Sequence, residues 1–531
     1  MSSTTTAPQP TDRRQVLVAL SGLLIALFVA TLSSTVVSTA LPKMVGALHG
    51  SQIQYTWIVT ATLLTTTVTV PIWGKLADLF SKKTLVQLSV AVFVLGSLAA
   101  GLSQTAGQLI AARAVQGIGV GGVQALVQIA IGAMIPPRER GRYSGYLSSV
   151  TALSTIGGPL LGGFIVDTSW LGWRWCFFVG IPVAAVALVL LQRTLRLPVI
   201  RLGDVKIDYL GSALIAAGVS TLLVWISFVG ESFDWGSWQT AAMVGSALVL
   251  LAVAMVVERR AADPVVPLGI VRQRTTALAI VGSLAVGTAV FAASVFLSQY
   301  FQRSRGYTAT EAGLLTAPMM AGILVSSIVA GRWITRTGKV KPFIVAGTVL
   351  LAVGFAGLGT VDHESSLALM SASMLAVGLG VGMTMQNFVL AVQNAVPLRS
   401  MGTASSTVSF FRSLGGTIGV TVLGTVLARH VADGTARNLA AAGLPPSAAA
   451  DGGSAAAREA VAVAFGDATG LVFLICAAIS VLSVVAAVLL KPITLRSRLD
   501  MADDPPPAVV AEAPVEIPPD ASVAGESAKQ R

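Results

Sequence analysis

The chain has 531 residues, 54% of them apolar and 11% charged, with a mean hydropathy of +0.79 and a formal net charge of +11. Soluble domains carry about 25% charged residues, and here the apolar residues fall in blocks of about twenty, the length that crosses a bilayer core as a helix. A soluble enzyme, a secreted disulfide scaffold and a disordered chain are thereby excluded. The two cysteines, Cys176 and Cys476, lie inside apolar blocks, and His49, His363 and His430 lie between blocks. That distribution argues against a structural disulfide and against a metal site. A positive balance in a membrane protein reports which loops face the cytoplasm, so no nucleic-acid partner is expected.

In chain order, a polar tail over residues 1–15 leads into apolar blocks at 16–41, 55–76, 84–104, 107–135, 144–166, 173–192, 209–229, 238–257, 277–301, 312–335, 342–361, 366–394, 403–427 and 466–490. These predict an all-α membrane protein with 14 transmembrane helices. The first block follows Arg13 and Arg14 but lacks a cleavage site, so it reads as a retained span and not a signal peptide. Residues 428–464 read as an Ala/Gly/Pro-rich outer loop with little to anchor it. Residues 491–531 form a tail, rich from 499 onward in Pro, Ala and acidic residues and expected to be disordered.

With fourteen spans the loops alternate sides. Of the 35 Lys and Arg residues, 26 fall in one set of loops and tails, including Lys82, Lys83, Arg138, Arg140, Arg142 and Arg336; 7 fall in the other. The positive-inside rule then places both termini in the cytoplasm of a multi-pass cell-membrane protein. The remaining two, Arg113 and Arg412, lie within spans.

An internal repeat divides the chain, as it does in many transporters. Gly74-Lys-Leu-Ala-Asp78-Leu-Phe-Ser81-Lys82-Lys83 is answered by Gly331-Arg-Trp-Ile-Thr335-Arg-Thr-Gly338-Lys339, an offset of 257. Gly117-Ile-Gly119-Val-Gly121 is answered by Gly378-Leu-Gly380-Val-Gly382 at 261, and Gly157-Gly158 by Gly415-Gly416 at 258. Each match alone is weak; three at nearly one offset define two parallel halves. Residues 16–192 form an N-terminal six-helix bundle and 277–490 a C-terminal one. Residues 193–276 are a linker that holds two extra helices.

These motifs resemble those of the fourteen-span drug:proton antiporters of the major facilitator superfamily, over nearly all of residues 16–490. Gly74–Lys83 resembles the signature loop between helices 2 and 3, and Arg113-Ala-Val-Gln116-Gly117-Ile-Gly119 the arginine motif of helix 4. Gly157-Gly158-Pro159-Leu-Leu-Gly162-Gly163 is similar to the helix 5 motif associated with export. The resemblance implies two six-helix bundles around a central site, with the proton gradient as energy source and no cofactor. It implies a gating or coupling role for Asp78, Arg113, Gly158, Pro159 and Gly162. Asp78 would lock the inner gate by pairing with a cation, for which Arg138, Arg140 and Arg142 are placed, or with a helix N-terminus. The chain departs from the pattern in helix 1, where Ser33 and Ser38 replace the usual Asp and Asn, and at Ser81, which replaces a Gly. No Asp or Glu lies deep inside a block, although proton carriers in membranes are commonly intramembrane carboxylates. Carboxylates at helix ends, namely Asp78, Asp167, Glu311 and Asp467, are the remaining candidates, with Asp167 directly after the export motif.

Spacing singles out further residues. An Arg within a span costs up to a few kcal/mol and must be paired or face water. Arg113 is either a coupling residue or a guanidinium bonded to carbonyls of a neighbouring helix. Arg412, near the midplane, would line a hydrated cavity and attract an anionic group of a substrate or lipid, or else be structural. Thr31, Ser34, Thr35 and Ser38 share one helix face, as do Thr62, Thr65, Thr66 and Thr69. Such hydroxyl stripes line a substrate path or bond helix to helix. Carboxamides recur at Gln124 and Gln128, at Gln386, Asn387, Gln393 and Asn394, and at Gln299 and Gln302. Amides bind drugs without a fixed charge, or satisfy one another between helices. Ser34, Thr35, Ser38, Thr62, Thr66, Gln124, Gln128, Gln386, Asn387 and Arg412 are the expected cavity residues. Tyr55, Trp57, Trp170, Trp173 and Trp175 are expected in the interfacial aromatic belt.

No Gly-x-x-x-x-Gly-Lys-Ser/Thr phosphate loop is present, which argues against ATP-driven transport. The sequence thus points to a secondary exporter of hydrophobic or cationic drugs or metabolites, as in antibiotic resistance, working as a monomer by proton antiport and alternating access. Its partners would be a small hydrophobic substrate, protons and membrane lipids. Export of a lipid or secondary metabolite, or a non-transporting sensor with a transporter fold, are the alternatives. An embedded enzyme would need a nucleophile or metal cluster inside the blocks, and none is seen. Deleting residues 499–531 is expected to leave transport at the undeleted rate, measured as dye efflux from vesicles at matched protein abundance.

Overall fold

In the computed structural model the described residues are 13–49, 52–168, 170–195, 209–230, 233–260, 268–397, 400–445, 454–493 and 495. The expectations for the tails 1–12 and 499–531 fall outside them. The described elements are α1 (Arg13–Ala47), α2 (Gln52–Leu79), α3 (Lys82–Gly101), α4 (Ala106–Met134), α5 (Pro137–Asp167), α6 (Trp175–Phe178), α7 (Gly180–Thr194), α8 (Tyr209–Phe228) and α9 (Trp238–Arg260). They continue as α10 (Leu268–Val271), α11 (Arg274–Arg303), α12 (Ala309–Leu315), α13 (Ala317–Thr337), α14 (Lys341–Leu358), α15 (Leu367–Ala395), α16 (Met401–Ala441) and α17 (Ala455–Leu489).

The fold is all-helical. Among the described residues, 12 helical segments are long and apolar enough to cross a membrane, against the fourteen expected. The two expected spans outside this set are α5 and α8. α5 has 31 residues, but charged side chains in its first turns and hydroxyl residues further along make it less apolar than its neighbours. In α8 the apolar run is the shorter Ala213–Ile226.

The expected outer loop at 428–464 is corrected. α16 continues to Ala441 and α17 begins at Ala455. Alanine is the best helix former, so the composition that suggested a loop extends the two helices. The extensions are also anchored: Leu439, Ala457 and Ala460 are buried together, and the Asn438 amide donates to the Ala460 carbonyl at 3.1 Å.

Glycine explains how the helices pack. Hydrocarbon gives helices no hydrophobic reason to associate, so close backbone approach and dispersion must hold them. Alternate glycines of Gly117-Ile-Gly119-Val-Gly121 point to opposite sides of α4. A Cβ at Gly117 or Gly121 would collide with Thr62, Thr65, Thr66 or Thr69 of α2, and one at Gly119 with the backbone of Phe93 on α3. The second half repeats the device. Gly378 and Gly382 of α15 press on α13 at Met319 and Ile323, while Gly380 presses on α14 at Gly347.

The halves meet along two seams, α2 against α16 and α5 against α13. In the first, a Cβ at Gly402 would lie 2.5 Å from the Gly74 carbonyl oxygen; in the second, one at Gly141 would lie 2.9 Å from that of Gly331. Gly74 and Gly331 differ by the repeat offset of 257, and Gly141 and Gly402 by 261. The repeat read in the sequence is therefore also a repeat of contacts. α8 packs on both α2 and α16 and pairs with α9, lying outside the first seam. The Phe228 ring sits 4.9 Å from that of Trp57, which is half-buried at the start of a candidate span. Trp173 is only 8% exposed, whereas Trp170 is 78% exposed.

Gly117→Ala tests this packing. In an open helix the change gains about 0.5–1 kcal/mol of helix propensity, but here the added methyl group overlaps α2, which costs about 1–3 kcal/mol. The thermal unfolding midpoint of the purified protein is expected to fall. Gly46→Ala, where a Cβ meets nothing within 4 Å, is expected to leave it unchanged or raise it.

Candidate functional site

One end of the bundle carries most of the described basic residues and closes the space between the halves. At the end of α2, Asp78 is buried against the first turn of α16. Its Oδ1 accepts from the Gly402 N–H at 2.8 Å; its Oδ2 accepts from the Thr403 N–H at 2.8 Å and from the Thr403 hydroxyl at 2.6 Å. A helix start leaves its first N–H groups without intrahelical partners and carries partial positive charge. Asp78 therefore caps α16 from the other half of the molecule. Gly402 is required there, since a Cβ would overlap both the Asp78 carboxylate and the Gly74 carbonyl.

A second staple joins the halves beside it. The Arg140 Nε donates to the Ile135 carbonyl at 2.7 Å, its Nη2 to the Gly132 carbonyl, and its Nη1 to Gln393 Oε1 at 3.1 Å. Gln393 in turn donates to Ser405 Oγ at 3.0 Å. Arg140 thus satisfies the last carbonyls of α4 and reaches α15 of the opposite half. This corrects the expectation of Arg140 as a cationic partner of Asp78: the helix N-terminus takes that place. Arg142 is exposed, and the Arg138 side chain lies outside the described residues. Gln393, grouped in the sequence with drug-binding amides, belongs to the staple.

Arg113 lies toward the opposite end of α4 and is buried. Its Nε donates to the Ile58 carbonyl of α2 at 3.4 Å and its Nη1 to Gln116 Oε1 at 2.5 Å. Gln116 passes the network on, donating to Ser33 Oγ at 3.1 Å and Ser97 Oγ at 2.8 Å. Ser33, at the departed carboxylate position, is therefore two hydrogen bonds from the guanidinium.

The hydroxyl stripes are largely committed to helix packing. Thr62 donates to the Arg113 carbonyl at 3.2 Å and Thr66 to the Gly117 carbonyl at 3.1 Å, which corrects their expected place in the cavity to the α2–α4 contact. Thr35 donates to the Ser154 carbonyl at 3.0 Å and fills the space over Gly158, so it joins α1 to α5. Ser34 is half-buried and donates to its own helix at Ala30. Asn387 also bonds within its helix, to the Met383 carbonyl at 2.6 Å. Gly162 is buried in α5; the side chains of Ser38, Pro159 and Asp167 lie outside the described residues.

One of the expected cavity residues, Gln128, is bonded across the halves. Ser409 of α16 donates to Gln128 Oε1 of α4 at 3.2 Å, and Gln124 lies one turn further from the closed end. Ser405 is joined to Gln393, and two turns beyond this pair lie Arg412 on α16 and Gln386 on α15. Arg412 stands about 16 Å along α16, near the middle of a bilayer core.

The family model of the Major Facilitator Superfamily matches residues 23–420. The chain belongs to this superfamily. It is similar to the multidrug transporter protein MdtP of Bacillus subtilis (strain 168), 34% identical over 409 residues that cover 77% of this chain and 74% of the relative. Multidrug resistance protein 3 of the same organism is 30% identical over 423 residues, 80% of this chain and 81% of that one. The crystal structure of the human organic anion transporter MFSD10 (TETRAN) superposes with a TM-score of 0.59 at 14% identity, covering 90% of this chain and 100% of that chain, which is a likeness of fold. The protein is a membrane-spanning transporter.

Asp78→Asn keeps the shape but replaces one carboxylate oxygen with an N–H₂ group facing N–H donors. Each charge-assisted bond is worth about 1.5–3 kcal/mol, so the closed end is expected to loosen and dye efflux from vesicles to fall several-fold at equal protein abundance. Thr403→Ala, which removes one of the three bonds, is expected to give a smaller loss in the same assay.

Proposed function

We propose that the transporter exports hydrophobic small molecules, drugs or metabolites, from the cell by alternating access and proton antiport. The observation that carries this reading is the cap of Asp78 on α16. It closes one end of the space between the halves with a few polar bonds, which can break without unfolding either half. The repeated glycine contact at the α5–α13 seam gives the second bundle a matching surface on which to rock. In this reading the chain spans the membrane fourteen times, as six helices, the α8–α9 pair and six helices. The basic, closed end faces the cytoplasm with both termini, and the protein works as a monomer. The names of the relatives from Bacillus subtilis support multidrug efflux.

The magnitudes suit a proton-driven lock. Three bonds to a carboxylate are worth several kcal/mol, and protonation of Asp78 would weaken all three. A proton crossing the membrane delivers about 2.3 kcal/mol for each 100 mV of potential, to which a pH gradient adds. Glu311 is a weaker candidate as a carrier, because its carboxylate accepts from the Thr308 N–H at 2.8 Å and hydroxyl at 2.9 Å in the capping box of α12.

Proteoliposomes holding the full chain test this reading with a hydrophobic dye, an imposed pH gradient and a potential-only control. Flux is expected to follow the pH gradient. Asp78→Asn or Asp167→Asn is expected to flatten the pH profile, and Glu311→Gln and Asp467→Asn to leave it unchanged. Ser33→Asp, set beside Gln116, is expected to be tolerated or to steepen proton dependence. Flux indifferent to the pH gradient would remove proton antiport.

A further inference from the structure

Among the described residues three buried side-chain atoms lack a hydrogen-bond partner, Trp235 Nε1, Thr276 Oγ1 and Arg412 Nη1, and of these only Arg412 carries a charge. The main chain of Arg412 is pressed onto Gly287 of α11, which fixes the base of the side chain. Two turns before it, on the same face of α16, Ser405 is bonded to α15, and Ser409 between them is bonded to α4. Of these, Ser409 reaches across to the other half, and the Cα of Arg412 lies about 10 Å along α16 beyond that of Ser405.

Two amides share its level. Gln386 is two turns beyond Gln393 on α15, and Gln124 is one turn beyond Gln128 on α4. Neither makes a hydrogen bond among the described residues, in contrast to Gln116, Gln128 and Gln393 at the neighbouring levels. An unpaired guanidinium at this depth is costly, and the missing partner is an acceptor with negative charge. Carboxylates fit best, since they take two parallel N–H bonds from the planar fork. An amide N–H₂ on either side supplies further donors. A permanent cation would be repelled from the same point.

We propose that Arg412, Gln124 and Gln386 form a carboxylate-binding site, and that the preferred cargo is an amphipathic organic acid and not a cation. The proposal rests on the export reading for the direction of transport, but the binding selectivity stands apart from it.

The test uses three probes with one ring system and chain: pyrenebutyrate, pyrenebutanol and pyrenylbutyl-trimethylammonium. Binding to the full-length protein in nanodiscs is read by fluorescence anisotropy. Pyrenebutyrate is expected to bind at least about tenfold more tightly than pyrenebutanol, equal to about 1.4 kcal/mol, with the cation weakest. Arg412→Gln is expected to bring the acid-to-alcohol ratio to about one by weakening binding of the acid, and Arg412→Lys to keep part of it. On the unaltered protein, phenylglyoxal modification of Arg412, followed by mass spectrometry, is expected to be blocked by pyrenebutyrate and not by pyrenebutanol. This measurement stands if the variants fail to fold. Equal binding of acid and alcohol, a preference for the cation, a ratio that survives Arg412→Gln, or no protection of Arg412 overturns the site. Absence of flux for all three probes in proteoliposomes would strike the export reading and leave the binding ratios to judge this one.

Discussion

Backbone contact without intervening side chains is the constraint on which this structure rests. Lipid tails are as apolar as the helix surfaces, so nothing expels those surfaces from the solvent around them. The helices hold together where glycine lets two backbones meet, and the same residue type serves inside each half and between halves. Inside a half, Gly117, Gly119 and Gly121 wedge α4 between α2 and α3. Between halves, Gly74 meets Gly402 and Gly141 meets Gly331. The outer contacts of a moving transporter and its static core are thus built in the same way, and what separates them is the polar bonding laid over the glycines.

That bonding is uneven. At the α2–α16 seam a carboxylate holds three donors of the facing helix. At the equivalent position of the second seam stands Thr335, whose hydroxyl donates to the Gly331 carbonyl of its own helix at 2.8 Å. Two seams with the same backbone contact therefore carry different side chains at this position, a carboxylate in one and a hydroxyl in the other. Low dielectric makes such bonds strong when satisfied and expensive when not, which is why the lone guanidinium at Arg412 stands out against the satisfied Arg113 and Arg140.

The repeat and the helical class were legible in the sequence because they depend on composition and on glycine, whose spacing survives in the primary structure. The partner of Asp78 was legible only as one of two options. It is the backbone of a helix start 324 positions away, and a backbone N–H has no residue signature. Arg140 read as a loop charge among Arg138 and Arg142; its burial depends on Gln393, 253 positions away. The hydroxyl stripe of Thr62 and Thr66 showed which residues share a face but not what the face meets. Gly117 and Gly121, four apart on α4, were the available signal, since a stripe without side chains asks for a neighbour that fills it. The segment 428–464 misled because alanine is common in flexible loops and is also the strongest helix former.

The pair α8–α9 carries a mechanical consequence. α8 touches α2 of one half and α16 of the other, so any rocking of the halves must shear one of its two contacts. Its buried residues Val219 and Leu223 share an apolar cluster with Leu191 and Val70 of the first half and with Phe410 of α16. Under the proposed rocking, α8 bridges both halves, and added bulk on its face toward α16 would act as a brake on turnover without touching cargo or lock.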